Sequence, residues 1–386
     1  MNKNTTHKFP ILLFFGYVLT ALALFLYSYT QVDLGLTLTE ISLWQTVQRV
    51  FQEIGYFERT LSTTLYIAIL FAMFVLWGKT LSLVKKGKIS AGQVFILIAM
   101  VSILLVFSYP AFSYDMFNYM FTAKTVLLYH KNPYEVTPLQ FTGYEPWLSF
   151  MHWTHKPSAY APMWILLSLP PYLLGFGYFL LILWNFKLLI AAFYLLTCWA
   201  ITKILADEDV RVRLEGLVLF ALNPLVLIEC LVSAHNDIVM SACALVSLVF
   251  LQLDRRFLSF ALYAISSAVK QVSLVLLPVF FLKDKRRMPF LLMSLACALF
   301  LIFFKRELLP WYGIWIFPFA SLYPRNTWLV PLTFGVSVGL LLTYAPFLYY
   351  GHWNDPVGIM KIWAVAIPVL LSLFFVLFRK GKNYRI

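Results

Sequence analysis

The chain has 386 residues, 61% of them hydrophobic and 12% charged, with a mean hydropathy of +0.80. So few polar residues cannot cover a globular surface, which excludes an ordinary soluble domain and points to an all-α polytopic membrane protein. The formal charge of +13 sits in short cationic blocks between apolar runs, so it encodes membrane orientation and gives no reason to expect a nucleic-acid partner.

In chain order, the first apolar run, residues 10–29, is long enough to span and lacks a small-residue cleavage site, so it reads as a retained helix. A run of about 20 residues, rising about 1.5 Å per residue, crosses roughly 30 Å of hydrocarbon. Further runs of this kind are 62–83, 91–110, 179–201, 236–253, 288–304, 328–349 and 359–378. Two weaker runs, 214–233 around Pro224 and 311–322, bring the expectation to about ten transmembrane helices. Proline is tolerated there because neighbouring helices satisfy the freed carbonyl.

The block Lys85/Lys86/Lys88, the pair Arg255/Arg256, the blocks Lys283/Lys285/Arg286/Arg287 and Arg379/Lys380/Lys382, and the early Lys3 and Lys8 all assign their flanks to the cytoplasm. Both termini are then cytoplasmic, and segments 31–61 and 112–160 lie outside. Within 31–61, the acids Asp33, Glu40, Glu53 and Glu58 outnumber Arg49 and Arg59, and Ile41, Trp44, Val47, Phe51 and Ile54 have the spacing of an amphipathic helix on the membrane surface. Residues 258–282 are apolar yet flanked by cations on both sides, so they are expected to form a re-entrant hairpin with its tip near Lys270 and Gln271. The run 161–175, broken by Pro170 and Pro171, is a second expected re-entrant segment, on the outer side. No separate soluble domain and no internal repeat is visible. Cys198, Cys230, Cys243 and Cys297 lie in apolar runs without metal or disulfide spacing and carry no chemistry.

The longest break in the apolar pattern, 112–164, holds the candidate chemistry. Asp115 follows the run that ends at Pro110, at a helix mouth, and shares a face with Tyr119; Asn118 and Lys124 lie on the same short helix. A solvated cap is the alternative reading of such an aspartate. The turn Asn132-Pro133-Tyr134 and the re-entry at Tyr160-Ala161-Pro162 hold the intervening loop at both ends. Its Glu145, Trp147, His152, Trp153, His155 and Lys156 suit a sugar or phosphate better than an apolar ligand. His235, Asn236 and Asp237 open the 236–253 run, as caps or as ligands. Glu229 and Lys270 are ionisable groups inside apolar runs, costly enough there to be functional by default. Lys270 needs an anionic partner, either Glu229 or Asp237 or a bound phosphate. Arg306, Glu307, Trp311, Tyr312 and Trp315 form a further outer cluster, which an interfacial aromatic belt would also explain.

The segments DMFNY, NPY, YAPMW, NPLVLIECLVSAHND, KQVSLVLLP and LLPWYGIW, in this order over about 115–315, resemble integral-membrane glycosyltransferases of the GT-C superfamily. The likeness is closest to the bacterial polyprenyl-phospho-mannose-dependent mannosyltransferases, while KQVSLVLLP is also similar to the lysine segment of the eukaryotic dolichyl-phosphoglucose transferases. The resemblance implies a GT-C-like fold and an outward-facing site in the cell membrane. There Asp115 would act as base while a hexose, mannose in the closest relatives, passes with inversion from a polyprenyl-phosphate donor to a glycan or glycolipid hydroxyl. Lys270 would neutralise the leaving phosphate, and His235, Asn236 and Asp237 would orient sugar or phosphate. One aspartate stands where some members have an acidic pair, which leaves a divalent metal open as a cofactor. The rival expectation is a transporter or flippase of lipid-linked sugars, which would spread ionisable residues through the depth of several helices.

Overall fold

A computed structural model describes residues 10–281 and 287–383, which fold as helices with no β-strand among them. The α-helices are α1 (Ile11–Thr30), α2 (Ser42–Gln52), α3 (Arg59–Lys85), α4 (Ala91–Val106), α5 (Asp115–Leu127), α6 (Pro162–Leu173), α7 (Phe179–Ile204), α8 (Val210–Ala221), the single turn α9 (Pro224–Leu227), α10 (Asp237–Gln252), α11 (Arg256–Val269), α12 (Arg287–Phe303), α13 (Gly313–Ala320), α14 (Leu329–Leu342), α15 (Tyr344–Tyr350) and α16 (Val357–Asn383). Lys3, Lys8, Lys283, Lys285 and Arg286 lie outside the described residues, as do the side chains of Arg287, Arg379, Lys380 and Lys382.

Five helical stretches are long and apolar enough to cross a membrane, namely Ile11–Thr30, Arg59–Lys85, Phe179–Ile204, Leu329–Tyr350 and Val357–Phe378. The pair Val210–Ala221 and Pro224–Val232, bent by 52° at its break, makes a sixth if counted as one span. The chain is therefore a multi-pass membrane protein. The remaining expected crossings are shorter helices; α13, at 8 residues, rises only about 12 Å. Apolar side chains on α16 such as Ile362, Trp363, Leu371 and Phe378 are exposed, as lipid-facing positions should be. By contrast α10, whose polar residues are Asp237, the buried Ser241 and Ser247, and Gln252 at its end, is buried between α7 and α11. α14 and α16 approach closely because α14 carries Gly335 and Gly339 four residues apart: a Cβ on Gly339 would lie 2.9 Å from the Val365 Cα.

The amphipathic helix expected in 31–61 forms as α2, and its packing is the reverse of a soluble helix. Its glutamines face inward: Gln48 donates to the Leu36 carbonyl at 2.7 Å and Gln52 to the Asp33 carbonyl at 3.0 Å. Ile41, Leu43, Trp44 and Val50 are exposed, the arrangement suited to a lipid surface.

At Lys270 the backbone leaves α11 in an extended conformation (φ −154°, ψ 116°) and continues as a 3-10 segment, Gln271–Phe280. The two arms lie against each other. Phe260 stacks on Phe280 at 4.2 Å and the Tyr263 hydroxyl donates to the Leu274 carbonyl at 2.9 Å. The chain thus doubles back at the residue where the flanking charges required a turn, and each arm is about 20 Å long, short of a crossing. α6 is a 12-residue helix with Pro162 in its first turn and Pro170 and Pro171 near its end.

Candidate active site

Asp115 is the first residue of α5, where the free N–H groups of a helix start favour a carboxylate. Its Oδ1 accepts from the Tyr160 hydroxyl at 3.1 Å and its Oδ2 lies 3.4 Å from His235 Nδ1. The NPY turn sets the position of Tyr160. Asn132 Oδ1 accepts the Tyr134 N–H, the Tyr134 hydroxyl donates to the Tyr160 carbonyl at 2.8 Å, and the Ser158 N–H donates to the Pro133 carbonyl at 2.8 Å.

His235 is fully enclosed, stacked on Trp311 at 4.4 Å, and its Nε2 lies 3.2 Å from Glu229 Oε2. Glu229 in turn accepts from the Tyr344 hydroxyl at 3.0 Å. This gives a continuous line, Asp115, His235, Glu229, Tyr344, whose two ends open onto one cavity of about 610 Å³. The local backbone explains how the middle of the line is formed. Asn223 caps α9, the helix widens to a π turn over Ile228–Val232 that carries Glu229, and Ala234 takes a left-handed conformation (φ 58°) that turns His235 towards α5. Burial alone would keep the His235 imidazole neutral, but the Asp115 and Glu229 carboxylates outweigh it and push its pKa up to about 9. For Asp115, burial acts upward and is overcome by His235, Lys270 and the Tyr160 hydroxyl, so the carboxyl is held below its ordinary range. A carboxylate so held is ionised at neutral pH.

The other expected site residues divide into three groups. Asn118 lines the cavity with Asp115 and Tyr160, as do Trp311 and Glu307; Glu307 is paired with Lys361. A second group packs behind it: Lys270 pairs with Asp237 at 2.5 Å, Trp315 Nε1 also donates to Asp237, and the Asn236 N–H reaches the Tyr119 hydroxyl at 3.4 Å. Tyr312 packs against Trp315 there at 4.8 Å. None of Lys270, Asn236, Asp237, Tyr119, Tyr312 or Trp315 is among the cavity-lining residues. The third group is away from the cavity. Lys124 is buried in an ion pair with Glu145 at 2.8 Å, its ammonium 4.1 Å from the Trp147 ring centre, and so braces the outer loop; Asn132 pairs with Glu135, and His155 and Gln271 are exposed.

Some groups around the site had only a general place in the sequence reading, or none. Lys156, from the loop suited to a sugar or phosphate, and Arg306, from the outer cluster, line the cavity, and among the described residues neither has a carboxylate partner. Tyr344 carried no signal, as one tyrosine in an apolar run. Lys187 did carry one, being an ionisable residue inside the 179–201 run, the same criterion that singled out Lys270. Among the described residues no group of three or more His, Cys, Asp or Glu side chains converges as a metal set, and the Asp115, His235 and Glu229 line spreads end to end instead of around a common point.

A family profile described as alpha-(1->6)-mannopyranosyltransferase, N-terminal domain (MptA_B family) matches residues 14–283. The chain belongs to this mannosyltransferase family. No curated protein and no solved structure matches it. Membership bears out the resemblance to GT-C mannosyltransferases and makes the chain a glycosyltransferase. The matched stretch contains Asp115, Glu229, His235 and Lys270, while Arg306, Trp311, Trp315 and Tyr344 come from the chain beyond it.

Proposed function

We propose that this member of the family transfers a hexose, mannose by family, from a polyprenyl-phosphate donor to a hydroxyl of a glycan or glycolipid at the outer membrane face, with inversion. The observation that carries the reading is Asp115 at the wall of the cavity, held by Tyr160 and His235. A sugar hydroxyl is a poor nucleophile, so its proton must pass to a carboxylate within about 3 Å as the new bond forms. In this reading the acceptor oxygen attacks the anomeric carbon opposite the phosphate, its proton goes to Asp115, and the anomeric C–O bond breaks with its electron pair leaving on the lipid phosphate. The anomeric carbon passes through an oxocarbenium-like state, as in glycoside cleavage. The aromatic lining, including Trp311, Tyr160 and Trp353, supports sugar binding, since sugar C–H faces pack on such rings.

Lys270, whose expected partner was Glu229, Asp237 or a phosphate, pairs with Asp237. The cations open to the cavity, Lys156 and Arg306, are the better seat for the leaving phosphate. We place this single glycosyltransferase domain in the membrane with about ten embedded helices, of which α13 is too short to cross fully, two re-entrant segments and cytoplasmic termini. Cysteines at position 257, which is exposed at the start of α11, and at position 283, in a cysteine-free background, should then both be labelled only from the cytoplasmic side. Labelling of position 283 from outside would make 258–282 a span.

The enzymatic reading is tested by incubating purified protein in detergent with polyprenyl-phospho-mannose and an oligomannoside acceptor. Release of polyprenyl phosphate together with an extended glycan is expected, whereas a transporter leaves the donor intact. Arg306→Ala should raise the donor KM by about tenfold or more, the size of a lost charged hydrogen bond, with a smaller effect on kcat. An unchanged donor KM in both Arg306→Ala and Lys156→Ala would remove the phosphate from this wall.

A further inference from the structure

Lys187 lies in the middle of α7, with 1% of its surface exposed, and is not a cavity residue. Its side-chain nitrogen donates to the Ser108 carbonyl at 2.6 Å and the Val232 carbonyl at 2.9 Å and lies 2.9 Å from the Ser108 hydroxyl, with no carboxylate among these partners. Burying an amine in mid-span is expensive, and a methionine or leucine would fill the same volume without that cost. The two acceptor segments explain what the amine accomplishes. Ser108 ends the α4 turn, seven residues before Asp115, and Val232 ends the π turn, three residues before His235. The Ser108 hydroxyl itself donates back to the Leu105 carbonyl on α4 at 2.5 Å, and the next N–H, of Tyr109, donates to Ser28 on α1 at 2.9 Å. Past Val232 the chain turns left-handed at Ala234 and delivers His235 to Asp115.

We propose that Lys187 is a positioning residue for the transfer reaction, clamping the backbone that leads into Asp115 to the backbone that leads into Glu229 and His235, so that carboxylate and imidazole stay in register across their 3.4 Å gap. The inference rests on the reading of Asp115 as base. A displacement of about 1 Å at a catalytic group costs on the order of 10²-fold in rate, so one buried lysine at this junction controls turnover without touching substrate.

The test uses full-length Lys187→Met, purified in detergent, with thermal unfolding recorded beside kinetics. We expect kcat to fall on the order of 10²-fold, with the donor KM changed by no more than about threefold, because the cavity lining is left intact. A second readout does not depend on turnover. The groups facing His235 are Asp115 from α5 and Glu229 from the π turn, with Tyr344 from α15 behind Glu229, Lys270 acting on Asp115, and the uncharged Trp311 ring stacked on its face. Loosening the clamp separates the imidazole from Asp115, while Glu229 stays with it on the π-turn side. The His235 titration, followed by nitrogen-15 NMR and assigned by loss of signal in His235→Asn, should then move from about 9 towards the ordinary histidine value. Lys187→Gln, which keeps two N–H donors, should recover part of both effects. Wild-type kcat and an unmoved His235 titration in Lys187→Met would overturn the proposal. If Lys187→Met does not fold, Ser108→Ala removes one acceptor and should show smaller shifts in the same direction; wild-type values there would overturn it equally. Should Asp115 prove not to be the base, the His235 titration still decides whether Lys187 sets the register.

Discussion

Asp115→Asn should lower turnover by about 10²- to 10⁴-fold, the usual contribution of a positioned general base, while donor affinity stays within a few-fold. The amide keeps the size of the carboxylate and still accepts from the Tyr160 hydroxyl, so the cavity wall is preserved and only basicity is lost. Removing one of the two carboxylates beside His235 should also move its titration down from about 9, since Glu229 alone remains to hold the proton. Turnover is read from polyprenyl phosphate release, and affinity from donor binding to the same preparation. Near-normal turnover with a shifted His235 titration would leave the pairing intact and reject Asp115 as the base.

Lys270→Met should act on stability more than on catalysis. Asp237 is 1% exposed and holds two donors, the Lys270 ammonium and the Trp315 indole N–H. Removing the ammonium strands a buried carboxylate, at a cost of about 3–5 kcal/mol for breaking a buried pair. The lower end is expected, because the indole bond survives and the lysine side chain is 30% exposed. Thermal unfolding of the donor-free protein measures the loss, and donor binding to the folded fraction should be retained. The double variant Lys270→Met with Asp237→Asn should recover part of the stability, since no unpaired charge remains. The opposite pattern, unchanged stability with donor affinity lost, would return the phosphate to Lys270 and away from Arg306 and Lys156.

Composition and periodicity by themselves determined the solvent and the element type. Long apolar runs can satisfy their backbone groups in lipid only as helices, so a helical multi-pass protein follows from the sequence alone. The break at Lys270 was legible for a related reason: cations on both flanks of 258–282 argue against a crossing, and the chain leaves α11 at that residue and packs back on it. Single ionisable residues inside apolar runs stood out because their cost demands a partner, as Glu229 and Lys270 show and as Lys187 would have shown by the same criterion. The identity of each partner was not legible, because it depends on elements far apart in the chain. Asp237 rather than a free cavity faces Lys270 only because α10 packs against α11, and His235 meets Asp115 only because a π turn and a left-handed alanine redirect the chain. Lys124 looked like a ligand from its place on α5, yet Glu145, 21 residues on, folds back to neutralise it. Sequence spacing fixes which residues share a helix face; which cation is already neutralised, and which stays free to meet a phosphate, is decided by contacts that only the packed helices bring within a few ångströms.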